Sequence, residues 1–218
     1  MSHNFPRTAN PKYAGPLILA SASPRRRWLL EQSGVRFIVV PAPEDVEAGE
    51  VRDVKAAIEA ARAKAIAVAQ SHGRALVIGA DTIVVADGQT IGKPATAEQA
   101  KEMLRWLSGR VHEVYTAVAI AGGAGQQVRV LAEGIQLTRV AMRPLSDKEI
   151  DRYVASGEPM DKAGAYAIQG EARRFIHWLD GPWDNVVGLP VSLTLQLIDK
   201  AAKAIAEEEG NGETEVAD

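Results

Sequence analysis

Short apolar segments alternate with amphipathic ones along most of this chain. The run from Leu17 to Ala20 predicts a strand. Ser23-Pro24 follows it and predicts a helix start, because serine caps a helix N-terminus and proline suits the first helical position. Residues 54–68 then carry apolar side chains at spacings of three and four, the pattern of one helix face, which predicts a long helix ending near Gly73. We therefore expect an α/β fold.

The middle of the chain predicts a group of extended strands. Residues 76–85 are apolar and rich in β-branched side chains, and Asp87-Gly88 favours a tight turn into a partner strand. A glycine cluster at 122–125 joins two further predicted strands and favours a hairpin turn over a phosphate cradle, because no helix follows it. The two strands beside this cluster run from about His112 to Ala121 and from Gln127 to Met142.

The remaining elements are predicted from caps and breakers. Pro24 to about Ser33 should form the first helix, 35–41 a strand, and the acidic, proline-containing segment 41–50 a loop. Capping-box patterns begin at Thr96 and Ser146, and each predicts a helix. Pro190 to about Ala206 is amphipathic and predicts a closing helix. The expected organisation is a leader at 1–15, one α/β domain at 16–206, and a flexible acidic tail at 207–218.

Composition narrows the classes of function. With 218 residues, 46% of them hydrophobic, the chain is long enough to bury a full core. A formal net charge of -3 gives no general field for a nucleic-acid polymer, so an anionic ligand needs local positive charge. The lack of cysteine excludes disulfides, thiolate metal sites and a cysteine nucleophile, and it permits a cytoplasmic location. No apolar run approaches the roughly 20 residues of a membrane span.

Polar side chains interrupt the apolar pattern at a few points, and Asp81 is the most informative of them. A carboxylate within an apolar strand is costly unless it is paired, hydrogen-bonded or bound to metal. A catalytic or metal-binding role is therefore expected, and the structural alternative is a carboxylate that caps a turn or pairs with an arginine. The four polar motifs are Ser21-Ala22-Ser23-Pro24-Arg25-Arg26, Gly79-Ala80-Asp81-Thr82, Gly92-Lys93-Pro94 and Asp161 to Gly170.

The first polar motif favours an anionic ligand. Unpaired N–H groups at a helix N-terminus, together with Ser21, Ser23 and an arginine, suit a phosphate. Neighbouring helix positions diverge by about 100°, so we expect one or two of residues 25–27 to face a site. Lys93 lies between Gly92 and Pro94, which restrain the backbone and suit a phosphate contact. The histidines have no metal-ligand spacing, and neither a P-loop nor a Gly-x-Ser-x-Gly elbow is present.

These motifs, with their order and spacing, resemble the Maf family of nucleoside triphosphate pyrophosphatases, and the resemblance extends from Leu17 to about Leu197. It implies an elongated, two-lobed α/β fold with a central mixed β-sheet and flanking helices, as in Maf- and ITPase-like proteins. It also implies a cytoplasmic homodimer that cleaves nucleoside triphosphates to monophosphates and pyrophosphate. Three further motifs carry the resemblance: Leu107-Ser108-Gly109, Tyr153 to Pro159 and Asn185-Val186-Val187-Gly188-Leu189-Pro190.

The resemblance also assigns roles to single residues. Asp81 would accept the proton of the attacking water and, with a carboxylate of the acidic loop, bind Mg²⁺ or Mn²⁺. Asp45 is the expected second ligand, with Glu44 and Glu47 as alternatives. Residues implied to bind the substrate are Ser21, Ser23, Arg25, Arg26, Lys64, Thr82, Lys93 and Gln169.

Three of these positions match the members that act on dTTP and UTP. They are Arg25 after Ser-Pro, Thr82 after the aspartate, and Gln169 before glycine. The alternatives are activity on 7-methyl-GTP or other non-standard triphosphates, and a nucleotide-binding regulator of septum formation. The expected partner is a small nucleoside triphosphate, and neither a nucleic-acid polymer nor a membrane is expected.

Overall fold

The computed structural model describes residues 13, 15–47, 51–123 and 127–214, with the side chains of 47 and 209–214 left out. The expected leader 1–15 therefore lies outside the described residues except for 13 and 15, and so do the last four residues of the expected tail.

A seven-stranded mixed sheet forms the centre of the fold. Its main order is β2-β1-β3-β5-β6-β7, and β4 pairs with β3 alone. β1 runs parallel to β2 and β3, whereas the other pairs are antiparallel. The strands are β1 (Leu17–Leu19), β2 (Ile38–Val39), β3 (Leu76–Ala86), β4 (Gln89–Ile91), β5 (Val111–Gly122), β6 (Arg129–Met142) and β7 (Ile176–Asp180).

Seven α-helices flank this sheet in the described part of the chain, and 3₁₀ turns connect α5 to β7. The helices are α1 (Pro24–Gln32), α2 (Glu44–Glu47), α3 (Val54–Ala69), α4 (Ala97–Leu107), α5 (Asp147–Ala155), α6 (Trp183–Val187) and α7 (Val191–Thr214). The 3₁₀ turns are Glu158–Asp161, Ala163–Ala165 and Glu171–Phe175.

Strand alternation creates a core on each face of the sheet. Ile18 and Val77 point toward α3 and pack with its alanines, while their neighbours Leu19 and Ile78 belong to the core beneath α4, α5 and α7. Because successive strand residues face opposite sides, one apolar strand supplies both cores. The mixed α/β fold with flanking helices is therefore confirmed.

Several local predictions are confirmed in detail. Ser23 caps α1 with proline at the first turn, and Ser146 forms a complete capping box with Glu149. At Thr96 only half of the box forms, because the Gln99 side chain accepts its hydrogen bond from Ala95.

Other elements differ from the prediction. The 35–41 strand shortens to Ile38–Val39, and the predicted loop 41–50 contains the short helix α2. The closing helix continues past residue 206 to Thr214, and β7 and α6 were not predicted. In the part of the chain that the structure describes, no helix is both long and apolar enough to cross a membrane.

One edge of β3 is open in its middle. β1 pairs with residues 76–78 of this edge and β4 pairs with 84–86, so among the described strands none pairs with 79–83 there. Asp81 and Thr82 lie in this interval, just beyond the carboxyl end of β1. The carboxyl ends of parallel strands are the usual ligand-binding edge of an α/β sheet.

Candidate active site

A cleft with a volume of about 360 Å³ lies at the carboxyl end of β1, beside the open interval of β3. It receives side chains from β3, the N-terminus of α1, the middle of α3, the segment after β4, and the 161–169 segment. Nine residues predicted from the sequence line this cleft: Ser21, Ser23, Arg25, Arg26, Lys64, Asp81, Thr82, Lys93 and Gln169.

Asp45 is the predicted site residue that the cleft does not include. It lies on α2 and is exposed, and neither it nor Glu44 is among the lining residues. The Glu47 side chain lies outside the described residues. The metal role expected for Asp45 thus stays a prediction without a contact to Asp81.

Lys64 and Asp81 form an ion pair at the inner wall of the cleft. The Lys64 Nζ lies 2.8 Å from Asp81 Oδ1, and the two side chains are only 5% and 14% exposed. Gly79 allows this pairing, because a Cβ at that position would lie 2.1 Å from the carbonyl oxygen of Ala61 and 2.7 Å from the nitrogen of Ala65. Small residues on α3 and a glycine on β3 therefore bring the lysine to the aspartate.

Arg26 is held at the N-terminal end of α1 by three different acceptors. Its Nε donates to the Gly188 carbonyl at 2.8 Å, its Nη1 to Ser21 Oγ at 3.3 Å, and its Nη2 to Thr82 Oγ1 at 3.2 Å. Helix geometry alone did not separate Arg25, Arg26 and Arg27, whereas the family resemblance implied the first two. The structure points Arg26 inward and pairs Arg27 with Glu31 on the helix surface.

Arg25 also lines the cleft, and its side chain is partly exposed. It contacts Asp161 at 3.3 Å, and Asp161 also pairs with Lys162. Burial acts to raise the pKa of Asp161, but the hydrogen bond and charge of Lys162, together with Arg25, hold that pKa below its usual range. The role of Lys162 was not predicted, although the residue belongs to a motif that the sequence singled out.

The segment that carries Gln169 is fastened by the Glu158 carboxylate. Glu158 accepts hydrogen bonds from the Tyr153 hydroxyl at 2.9 Å and from the Glu171 backbone N–H at 3.2 Å. A Cβ at Gly170 would lie 2.1 Å from the same carboxylate. A side chain at position 170 would therefore displace the Glu158 carboxylate from the position in which it accepts these hydrogen bonds.

A buried His112–Tyr166 pair supports another part of the cleft. His112 Nε2 lies 2.8 Å from the hydroxyl of Tyr166, which lines the cleft. Burial lowers the pKa of His112 to about 4, so the ring is neutral near pH 7. The spacing of the histidines argued against a metal cluster, but it gave no sign of this pair, whose residues are 54 positions apart in the sequence.

The lining of the cleft is strongly basic in an acidic protein. It contains five basic side chains and two carboxylates: Arg25, Arg26, Lys64, Lys93 and Lys162 against Asp81 and Asp161. Such local positive charge suits a small polyanion, because the low-dielectric walls focus its field.

The donor set fits a divalent cation only in part. In the described part of the chain, no group of three His, Cys, Asp or Glu residues is arranged to hold a metal ion. Asp81 Oδ1 accepts a hydrogen bond from Lys64, so Oδ2 is the carboxylate oxygen that would bind a cation. Mg²⁺ is often held by one or two carboxylates together with substrate phosphates and water. The residues therefore fit a cation that shares its ligands with a polyphosphate.

Comparison with known sequences gives a consistent set of relatives. A family model described as "Maf-like protein" matches residues 16–201. A protein named dTTP/UTP pyrophosphatase from Pelotomaculum thermopropionicum is 47% identical, over 84% of this chain and 95% of that protein. Proteins with the same name from a Geobacillus species and from Myxococcus xanthus are 45% and 46% identical, over 84% and 85% of this chain and 97% and 92% of theirs.

Among solved structures, the chain is similar to the Ham1 protein of Staphylococcus aureus and to a HAM1 protein of Coxiella burnetii. The TM-scores are 0.33 and 0.35, and the sequence identities are 13% and 20%. The matches cover 74% and 88% of this chain and 93% and 98% of those chains.

Proposed function

The chain belongs to the Maf family, and from this premise we propose that it hydrolyses dTTP and UTP to the monophosphate and pyrophosphate. The observation that carries the proposal is the cleft, which joins a carboxylate, five basic side chains and the Gln169 segment in one space. A role in clearing unwanted pyrimidine triphosphates from the nucleotide pool follows from this reaction.

Asp81 is the proposed proton acceptor for the attacking water. Lys64 fixes one carboxylate oxygen at 2.8 Å, so the carboxylate has a defined orientation before the substrate arrives. Proton transfer to a positioned side chain contributes about 10²- to 10⁴-fold to a rate. The small exposed fraction of the pair also limits competing hydrogen bonds from bulk water.

The basic side chains are proposed to hold the triphosphate. Arg26 and Lys93 line the cleft from different segments of the chain, and Lys64 lies beside the Asp81 carboxylate. Ser21 and Ser23 add hydroxyl groups at the N-terminus of α1, where backbone N–H groups favour negative charge. Preorganised donors of this kind stabilise charge that develops on the phosphate oxygens in the transition state.

A divalent cation, Mg²⁺ or Mn²⁺, is proposed to enter with the triphosphate. Asp81 would supply a protein ligand, and the expected partner Asp45 lies outside the cleft in this arrangement. When bound, the cation neutralises phosphate charge and polarises the phosphoryl group.

Base selection is proposed to depend on Gln169. Its amide has both donors and an acceptor and so matches the N3 and O4 edge of uracil or thymine. Arg25 lines the same cleft, and its contact with Asp161 holds it beside the 161–169 segment. A homodimer and a cytoplasmic location are part of the same proposal, supported by the family resemblance.

A substrate panel tests the proposal. Purified protein with Mg²⁺ and then Mn²⁺ is given dTTP, UTP, CTP, dATP, GTP and 7-methyl-GTP, and the products are separated. We expect dTTP and UTP to be preferred and Gln169→Glu to lose this preference while keeping turnover. A preference for 7-methyl-GTP would contradict the pyrimidine assignment. Binding of nucleotides without turnover would favour the regulatory alternative.

A further inference from the structure

Thr82 lies in the cleft at a position that the family resemblance connects with the choice of base, and its hydroxyl belongs to a chain of hydrogen bonds. Arg26 Nη2 donates to Thr82 Oγ1 at 3.2 Å. Thr82 Oγ1 lies 2.9 Å from Thr116 Oγ1, directly across the β3–β5 pair. Thr116 Oγ1 in turn donates to the backbone carbonyl of Asn185 at 2.9 Å.

The direction of every hydrogen bond in this series is fixed by the groups at its two ends, the Asn185 carbonyl and the Arg26 guanidinium. A carbonyl oxygen only accepts, so the single hydroxyl proton of Thr116 is used on Asn185. Thr116 must then accept from Thr82, and this uses the single proton of Thr82. A guanidinium only donates, so Arg26 is the donor at the other end. The Thr82 hydroxyl therefore has no proton left to donate to a ligand.

The Thr116–Asn185 end of this hydrogen-bond series is rigid. Thr116 and Asn185 are completely buried, and the Asn185 side chain donates to the Val114 carbonyl and to Thr138 Oγ1, both at 3.0 Å. The same segment supplies the Gly188 carbonyl that accepts from Arg26 Nε. The 185–188 segment thus holds Arg26 in two ways, directly through the Gly188 carbonyl and indirectly through Thr116 and Thr82.

We infer that Thr82 is a positioning residue for Arg26, linked through Thr116 to the buried Asn185 segment, and that it donates no hydrogen bond to the base. This inference rests on the proposed function of the cleft. It separates Thr82 from Gln169: Gln169 selects the base, whereas Thr82 orients the guanidinium that holds the phosphates of any nucleotide.

Thr116 gives a direct test, because it is not among the residues that line the cleft. Thr82→Val and Thr116→Val each remove one hydroxyl at nearly constant shape, and Thr116→Ser keeps the hydroxyl as the matched control. For each variant, kcat/KM for dTTP and for GTP, the Kd of α,β-imido-dTTP and the thermal midpoint are measured.

We expect both valine variants to lower kcat/KM about 10-fold for dTTP and for GTP alike, the size of one hydrogen bond. Thr116→Ser keeps the hydroxyl and should therefore retain most of the wild-type kcat/KM. In an Arg26→Lys background the valine substitutions should cause little further loss, because the guanidinium that they position is already absent.

Three results overturn the inference. The first is wild-type activity of Thr116→Val together with a changed ratio of kcat/KM for dTTP to that for GTP in Thr82→Val, a result that would mean that Thr82 contacts the base. The second is a full further loss in the Arg26→Lys background, which means general destabilisation. The third is unchanged binding of α,β-imido-dTTP by both valine variants. Absence of turnover in the wild-type protein would contradict the proposed function instead, and the binding comparison would still decide the role of Thr82.

Discussion

Replacing Gly79 by alanine tests how the site is assembled. The added Cβ would lie 2.1 Å from the carbonyl oxygen of Ala61 and 2.7 Å from the nitrogen of Ala65. Both atoms belong to the backbone of α3, so no rotamer change relieves the contact. Ordinary van der Waals contact begins near 3.4 Å, and α3 must therefore retreat from β3 by about 1.3 Å.

Lys64 is on the helix turn between these two alanines, so it moves with the helix. Its contact with Asp81, now 2.8 Å, would stretch to roughly 4 Å, beyond hydrogen-bond range. Overpacking of this kind costs about 1–3 kcal/mol, and a misplacement of about 1 Å at a catalytic group costs about 100-fold in rate. We expect both effects in Gly79→Ala.

Urea unfolding and kcat/KM for dTTP measure the two effects separately. Gly134→Ala is the matched control, since it also adds one Cβ to a sheet glycine but meets only side-chain atoms of Leu193 and Leu197. The control should keep its rate. Wild-type stability and wild-type kcat/KM in Gly79→Ala would refute the claim that close packing of α3 on Gly79 positions Lys64 beside Asp81.

Two further predictions concern side chains that support the cleft from behind its lining. His112 has its pKa lowered to about 4 by burial, so the unfolded state binds a proton first as the pH falls. The neutral, buried His112 ring therefore contributes fully to the free energy of unfolding above about pH 6.5, and this contribution falls by at most about 3 kcal/mol between about pH 6.5 and 4. Urea unfolding at several pH values should show a shallower pH dependence of the free energy of unfolding for His112→Asn than for the wild type. An equal pH dependence in the two proteins would contradict the argument. Glu158→Gln should raise KM for dTTP about 5-fold, with a smaller change in kcat, because it weakens the fastening of the Gln169 segment; steady-state kinetics measure both constants, and an unchanged KM would rule that role out.

Local sequence patterns predicted much of the fold because the relevant physics is local. Ser23-Pro24 and Ser146 predicted helix starts because a cap depends on residues only a few positions apart. Asp81 stood out because a carboxylate in an apolar strand needs a partner, and the structure supplies Lys64. Nothing in the sequence distinguished β7, whose side chains are mostly exposed and show little alternation.

The rest of the site depends on contacts between distant segments. The pairing of Thr82 with Thr116 follows from the β3–β5 register, which a single strand sequence does not specify. Asn185 belongs to a motif that carried the family resemblance, but the sequence gave no sign that its side chain is buried and bonds to two neighbouring strands. The acidic loop left the choice between Glu44, Asp45 and Glu47 open, because an exposed carboxylate carries no local mark of its partner.

Product analysis of dTTP hydrolysis by the wild-type and Asp81→Asn proteins tests the central claim most directly. Asparagine keeps the shape of the side chain but cannot accept the proton of water at neutral pH. The wild-type enzyme should release dTMP and pyrophosphate, and Asp81→Asn should be at least 100-fold slower while still binding α,β-imido-dTTP. Release of dTDP and phosphate, or an Asp81→Asn rate equal to that of the wild type, would contradict the account.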